Sequence, residues 1–194
     1  MSPARGRTSA DAIVAAGREL LEAGGLDAVT MQAIAGRVGV RAPSLYKRFP
    51  SRGALIATMT GDILGELGAF LDLPGDPGDP AVEIRRLAAG YRSWALGHPR
   101  AYALAFMDLP PDHRPPVEAN ARASAPLIEL TTRLVRPEQA LEAARLVTAF
   151  AHGFVSMELG GAFRLGGDVD AAYGFGVDVI VGALTAPPFG SGRR

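Results

Sequence analysis

The 194-residue chain contains no cysteine. That absence removes disulfides, thiolate metal ligands and cysteine nucleophiles. Histidine is scarce too: there are three, so any zinc site would need carboxylates as well. No metal site is expected. No apolar run reaches about 18 residues, so no membrane span is expected. The first residues, MSPARGRTSADAIV, carry arginines with no long apolar segment behind them, which does not match a secretory signal. The expected compartment is the cytoplasm. Phosphate-cradling glycine motifs, a nucleophile elbow, HExxH and paired-histidine sites are all missing. No catalytic residue and no cofactor is expected. Asp108, Asp112 and His113 fall together, but a proline-rich stretch commonly carries such residues. Strand-like alternation is also lacking, as is any repeat with a period of roughly 20–50 residues.

Net charge is absent as well, with twenty basic and twenty acidic residues, but the balance hides a split. Residues 1–56 hold eight basic side chains against four acidic ones, and the remainder reverses that excess. Such asymmetry points to a polyanionic partner for the N-terminal part. A single lysine, Lys47, accompanies nineteen arginines. The hydrophobic fraction of 48% is enough for a buried core.

The pattern along the chain is all-α. A first helix follows Thr8 or Ser9 as its N-cap, puts Ile13, Gly17, Leu20 and Leu21 on one face, and closes at Gly24-Gly25. Thr30 caps a short helix, Met31 to Val38, whose inward face is Ile34, Ala35 and Val38. Gly39 permits a turn of positive φ. A third helix is expected from Ala42 to Phe49, with Pro43 in its first turn and Pro50 as its stop. A longer helix, 52–71, follows Ser51. After the breaker cluster at 74–80, helices are expected near 80–97, 100–107, 117–135, 138–160 and 169–185. The tail 187–194 is expected to be disordered.

Residues 30–49, TMQAIAGRVGVRAPSLYKRF, read as helix, glycine turn, helix, with a polar and basic face on the second helix. Ile34, Val38, Val40, Leu45 and Phe49 can share a small core with Leu20 and Leu21, leaving Arg41, Ala42, Ser44, Lys47 and Arg48 outside. That is the logic of a helix-turn-helix whose second helix enters the DNA major groove. The alternative at this point is a surface helix pair with solvated charges.

The segment AIVAAGRELLEAGGLDAVTMQAIAGRVGVRAPSLYKRFPSRGALI resembles the tetracycline-repressor (TetR) family of bacterial regulators. The resemblance rests on Gly24-Gly25, Thr30, Ile34-Ala35, Gly39-Val40, Ser44-Leu45-Tyr46 with Phe49, and Ser51-Arg52 before Leu55. Arg48 and Arg52 stand where the family usually has histidine and lysine. The resemblance implies an N-terminal DNA-binding domain, 1–56, in which 1–8 form a flexible arm, and a helical dimerisation and effector-binding domain, 57–186. It implies that Thr30, Tyr46, Lys47, Arg48 and Arg52 serve the phosphate backbone. Gln32, Arg41, Ala42, Pro43 and Ser44 would face base edges, with Arg41 suited to guanine. Arg5 and Arg7 would reach phosphates or the minor groove from the arm, with simple solvation as the alternative.

Residues 150–163, FAHGFVSMELGGAF, resemble the C-terminal domain of a TetR subgroup marked by Trp-His-Gly; His152-Gly153 match and Ala151 replaces the tryptophan. Pro99, Tyr102 and Phe106 fit the same subgroup. The family's late helices form an intermolecular bundle, for which the candidates are Leu141, Ala144, Thr148, Ala151, Val155, Val169, Tyr173, Val177, Ile180 and Val181; intrachain core is the alternative use. Candidate effector-pocket residues are Trp94, His98, Tyr102, Phe106, Met107, His152, Phe154 and Met157, which favour a small hydrophobic ligand. The implied partners are palindromic double-stranded operator DNA, a second copy of the chain, and that effector. The rival function is a helical ligand-binding or interaction module without effector-controlled DNA binding.

Overall fold

The computed structural model describes residues 9–72 and 78–187. Thr8, Arg5, Arg7 and the rest of the expected arm lie outside these residues, as do residues 188–194 of the expected tail. The described residues are helical, without strands. Eight α-helices are named in chain order: α1 Ala10–Gly24, α2 Met31–Val38, α3 Arg52–Phe70, α4 Pro80–Gly97, α5 Pro99–Ala105, α6 Val117–Leu134, α7 Ala140–Leu159 and α8 Val169–Thr185. Between α2 and α3 the segment Ala42–Lys47 is a 3-10 helix.

Two compact units divide the chain: Met1–Glu66 with His98–Asn120, and Leu67–Gly97 with Ala121–Arg194. Residues 57–66 and 98–120, expected in the second domain, therefore pack with the N-terminal helices. The physical reason lies in specific ties within the first unit. Arg18 of α1 makes a two-pronged ion pair with Glu66 of α3, Nη2 lying 2.7 Å from Oε2. That bond raises the Arg18 pKa. Arg100 of α5 donates from Nη1 to the carbonyls of Leu21 and Glu22, at 3.3 and 2.5 Å. Those carbonyls lie in the last turn of α1, at its negative dipole end, where Leu21 O also accepts from Gly25 N–H at 2.8 Å.

Local chemistry sets the helix ends. Ser9 accepts from the Ala12 amide at 3.1 Å, so it is the N-cap of α1. The Thr30 hydroxyl does the same for Ala33 in α2. Gly39 ends α2 at φ 74°, ψ 38°, and Val40 N–H returns to Ala35 O at 2.9 Å. This is the six-to-one closure that a left-handed residue allows. Asp168 caps α8 by accepting from Asp170 and Ala171.

In the second unit α4, α7 and α8 pack pairwise. Their apolar contacts include an aromatic cluster. Phe150 stacks on Tyr173 at 5.7 Å, and Phe154 meets Tyr173 at 5.1 Å and Phe163 at 4.6 Å. A Cβ on Gly176 would overlap the Phe150 ring, so glycine there is what lets α8 come close. Arg92 of α4 binds both oxygens of Glu158 at 2.6–2.7 Å and Asp170 at 2.6 Å, and lies 5.3 Å from the Tyr173 ring centroid. The hydrogen bond to Glu158 is the main cause that raises its pKa. Side-chain exposures of 14% and 18% make Arg92–Glu158 the most enclosed of the described ion pairs.

Replacing Arg92 with Met should lower stability by about 2 kcal/mol, because Glu158 would keep its partial burial and lose its charged donors. Chemical denaturation checks this. A midpoint equal to wild type would mean that the pair contributes nothing.

Candidate functional site

The helix-turn-helix is built as the pattern predicts, with one difference. Ile34, Ala35 and Val38 of α2 are buried, as are Leu45 and Phe49 after the turn. Val40 and Leu20 are half-buried. The expected third α-helix, however, is a 3-10 helix that stops at Lys47. Pro43 has no N–H, and the segment's bonds run one residue shorter: Ser44 N–H to Arg41 O at 2.9 Å and Arg48 N–H to Leu45 O at 2.8 Å. Just past the segment, Phe49 N–H reaches back four residues, to Leu45 O at 3.0 Å.

Burial divides the segment's side chains. Leu45 and Phe49 point inward; Arg41, Pro43, Tyr46, Lys47 and Arg48 are exposed; Ala42 and Ser44 are half-buried. Thr30 and Gln32, at the start of α2, are exposed. The first amides of α2 have no acceptor within the helix, apart from the Ala33 N–H that the Thr30 hydroxyl takes. Dipole and free N–H groups make this end suited to a phosphate.

Charge is distributed in a way that marks the same segment. Most described arginines are already engaged: Arg18 and Arg37 with Glu66 and Glu19, Arg85 and Arg86 with Asp178 and Glu83, Arg92, Arg114 and Arg136 with acids, Arg164 with a carbonyl. Among the described residues, the basic side chains with no hydrogen bond or ion pair are Arg41, Lys47, Arg48 and Arg145. Three of these four lie within eight consecutive positions. Exposed cations left without carboxylates are free to meet phosphates or base edges.

Arg52 differs from that group. It is half-buried, and its guanidinium donates from Nε to Val29 O at 2.6 Å and from Nη2 to Leu26 O at 2.7 Å. The expectation that it faces phosphate meets a side chain already directed at backbone carbonyls. Gly53, its neighbour, is buried; a Cβ there would overlap the His113 ring and come within 3.1 Å of Asp112 Oδ2.

The effector candidates are divided between the two units. Phe106 and Met107 line a cleft of about 320 Å³ in the first unit, together with Thr60, Asp108, Leu109, Arg114, Val117 and Asn120. Tyr102 is buried and packs against Phe106 with centroids 4.9 Å apart. His98 is exposed, and its carbonyl accepts from Tyr102 N–H at the start of α5. Trp94, His152, Phe154 and Met157 belong to the second unit. There Trp94 is buried, Phe154 joins the aromatic cluster, and Met157 is exposed. His152 has hydroxyls at both ring nitrogens, Tyr91 at 3.3 Å and Ser156 at 3.5 Å, and burial lowers its pKa. Sequence reasoning missed Thr60, Arg114 and Asn120 at the cleft. Arg114 donates to Leu109 O and pairs with Asp108, folding the proline-rich stretch back on itself. Nothing in the local pattern announced that closure.

Most of the dimer candidates are covered within the chain. Ala144, Ala151, Val155, Tyr173, Val177 and Val181 are buried, and Val169 and Ile180 are half-buried. Leu141 and Thr148 are exposed. Helical periodicity identifies an apolar face but not what covers it, and here that face packs among α4, α7 and α8. The outward apolar residues of the last two helices include Leu146 and Met157 on α7, and Phe175 and Val179 on α8, at 48%, 52%, 72% and 54% exposure.

Comparison with known proteins agrees with this geometry. Residues 13–59 match the family model for bacterial regulatory proteins of the tetR family. Residues 84–180 match that for the tetracyclin repressor-like C-terminal domain. The chain is 34% identical over 164 residues to the uncharacterized HTH-type transcriptional regulator Rv0681 of Mycobacterium tuberculosis, covering 80% of this chain and 72% of that one. A protein of unknown function from Rhodococcus sp. RHA1 has the same fold, with a TM-score of 0.77 at 22% identity over 91% of this chain and 95% of that one. A TetR variant from Acinetobacter baumannii AYE in complex with minocycline superposes with a TM-score of 0.67 at 25% identity, covering 90% and 94%. Streptomyces coelicolor ActR in complex with (S)-DNPA gives 0.67 at 20% identity, covering 95% and 98%. The capped helix-turn-helix, its unpaired basic segment and both family matches place the chain in the TetR family of DNA-binding transcriptional regulators.

Proposed function

We propose that the protein is a homodimeric cytoplasmic repressor that holds a palindromic operator and releases it when a small amphipathic molecule binds. This reading assigns it no catalytic step. The observation that carries it is the run of exposed Arg41, Lys47 and Arg48 without acidic partners on the helix-turn-helix. One such unit reads only a half-site. A two-fold dimer must space its recognition segments by roughly 34–36 Å to enter successive major grooves. Tyr46, Lys47, Arg48 and the Thr30 end of α2 then position the unit on phosphates. Gln32, Arg41, Ala42, Pro43 and Ser44 read base edges.

The second copy docks on the outward residues Leu146, Met157, Phe175 and Val179 rather than on the buried faces of α7 and α8. Glycines at 153, 174 and 182 support close approach, since a Cβ on any of them would meet nothing within 4 Å. The effector enters the first-unit cleft. Phe106, Met107, Leu109 and Val117 supply its apolar wall, and Thr60, Asn120, Asp108 and Arg114 its polar one. That mixture favours a ligand with a polar group over a purely hydrophobic one. Two of the similar structures also hold small molecules, minocycline and (S)-DNPA. Thr60 belongs to α3, the helix that begins with Arg52, so occupation of the cleft acts on the support of the DNA-binding segment. The ligand shifts operator affinity only by its difference in affinity between the two states.

Fluorescence anisotropy with DNA from upstream of the protein's own gene, at several salt concentrations, tests DNA binding. Sequence-specific binding that weakens steeply with salt is expected, with a loss of about 1–3 kcal/mol in Arg41→Ala. Weak, sequence-blind binding there and in genomic fragment selection would favour the ligand-binding module. For the dimer, Phe175→Glu should convert it to monomer at micromolar concentration in analytical ultracentrifugation, a cost of about 2 kcal/mol or more at a central aromatic. An unchanged sedimentation coefficient would move the interface elsewhere. For the cleft, Met107→Trp should abolish release by any effector found in a thermal-shift screen and leave ligand-free operator affinity within about twofold. Release at wild-type concentration would place the effector outside the cleft.

A further inference from the structure

We infer that Arg52 is a positioning residue, which grips the turn before α2 and so sets the orientation of the DNA-binding elements, rather than a phosphate ligand. The inference rests on the DNA-binding reading of the helix-turn-helix and adds a role at its back. Its basis is the fork of two bonds, Nε to Val29 O at 2.6 Å and Nη2 to Leu26 O at 2.7 Å. Leu26 opens the 3-10 turn Leu26–Ala28, which connects α1 to α2, and Val29 directly follows it. Leu26 O also accepts from Val29 N–H at 3.1 Å, and Thr30 N–H donates to Ala28 O at 3.0 Å. The turn is therefore closed on itself, then tied to the first residue of α3. Val29 is fully buried, so this carbonyl is reached from within the unit rather than from solvent. Thr30, the cap of α2, is the next residue.

The chemistry of the side chain supports the assignment. A planar guanidinium presents parallel N–H donors and can hold two acceptors at once, whereas an ammonium is a point charge. Arg52 uses this fork on acceptors that carry no net charge, while Arg41, Lys47 and Arg48 remain unengaged. Its own backbone is fixed from behind. Gly53 is buried against His113 and Asp112, with no room for a Cβ, and the Ser51 hydroxyl accepts from Ala54 N–H at 3.0 Å. The start of α3 is thus held on one side by the Pro111–His113 turn and holds the α1–α2 turn on the other. A shift of α3 carries the Thr30 cap and α2 with it.

Arg52→Lys and Arg52→Gln separate this role from a phosphate contact. The protein is titrated with its selected operator fragment and with a scrambled duplex of equal length, across a salt series. Melting by circular dichroism confirms that each variant is folded at the working temperature. A positioning residue predicts at least a roughly tenfold loss on the operator in both variants, near-unchanged binding to the scrambled duplex, and a salt slope altered by less than about one. Hydrogen exchange in residues 26–33 of the DNA-free variants rises above wild type. In wild-type protein, the NMR signal of the Arg52 Nε–H is protected without DNA and keeps its position when operator is added. The proposal is overturned if Arg52→Lys binds like wild type, if both duplexes weaken equally with the slope reduced by about one, if exchange in 26–33 is unchanged, or if the Nε–H signal moves on DNA addition. The exchange and DNA-free signals need no operator. Wild-type failure to select any operator therefore counts against the DNA-binding reading, while these two readouts still decide the grip.

Discussion

The reversal at Gly39 is the constraint on which the DNA-binding half depends. α2 must end after two turns, and the chain must leave it at an angle that buries Leu45 and Phe49 while leaving Arg41 and Lys47 in solvent. A backbone at φ 74° achieves this, with Val40 N–H closing on Ala35 O. An L side chain would strain that conformation by about 1–2 kcal/mol. The 3-10 segment that follows is short, and 3-10 hydrogen bonds have poorer geometry than α-helical ones. Its position is therefore owed to the burial of Leu45 and Phe49 and to its packing on α2, rather than to its own helix. This dependence makes the support of α2 from α1 and α3 consequential for the DNA-binding surface.

A second regularity is the economy of charge. The chain has as many acids as bases, yet its acids are spent pairing particular arginines: Glu66 with Arg18, Glu19 with Arg37, Glu158 and Asp170 with Arg92, Asp178 with Arg85. Apart from the enclosed Arg92–Glu158 pair, exposed pairs of this kind add little to stability. Their consequence here is a positive region that does not depend on net charge. Even Arg52 and Arg100 are drawn inward, each by a pair of backbone carbonyls at the ends of α1 and its following turn.

Much of the fold was legible in advance. Helix positions from α1 to α8 agree with the pattern to within about two residues, because proline, glycine and N-cap side chains act locally and leave local signatures. The inward face of α2 and the burial of Leu45 and Phe49 were readable from 3.6-residue spacing. For the recognition segment the pattern predicts an α-helix, and the structure has a 3-10 helix. Pro43 marks a helix start equally well in either form, and which bonds the following amides make depends on how the segment is packed.

The all-α character, the glycine turn between two short helices, and the side of the second that carries the basic residues are all written in the order of the amino acids. Each of these follows from interactions within a few residues. Tertiary structure decided what faces what: that the apolar stripes of α7 and α8 turn inward, that Phe106 and Met107 border a cleft while Phe154 fills a core, and that Arg52 meets carbonyls 23 and 26 residues away. Periodicity names a face and composition names a charge. The partner of either comes from a distant part of the chain, and only the packed structure brings the two together.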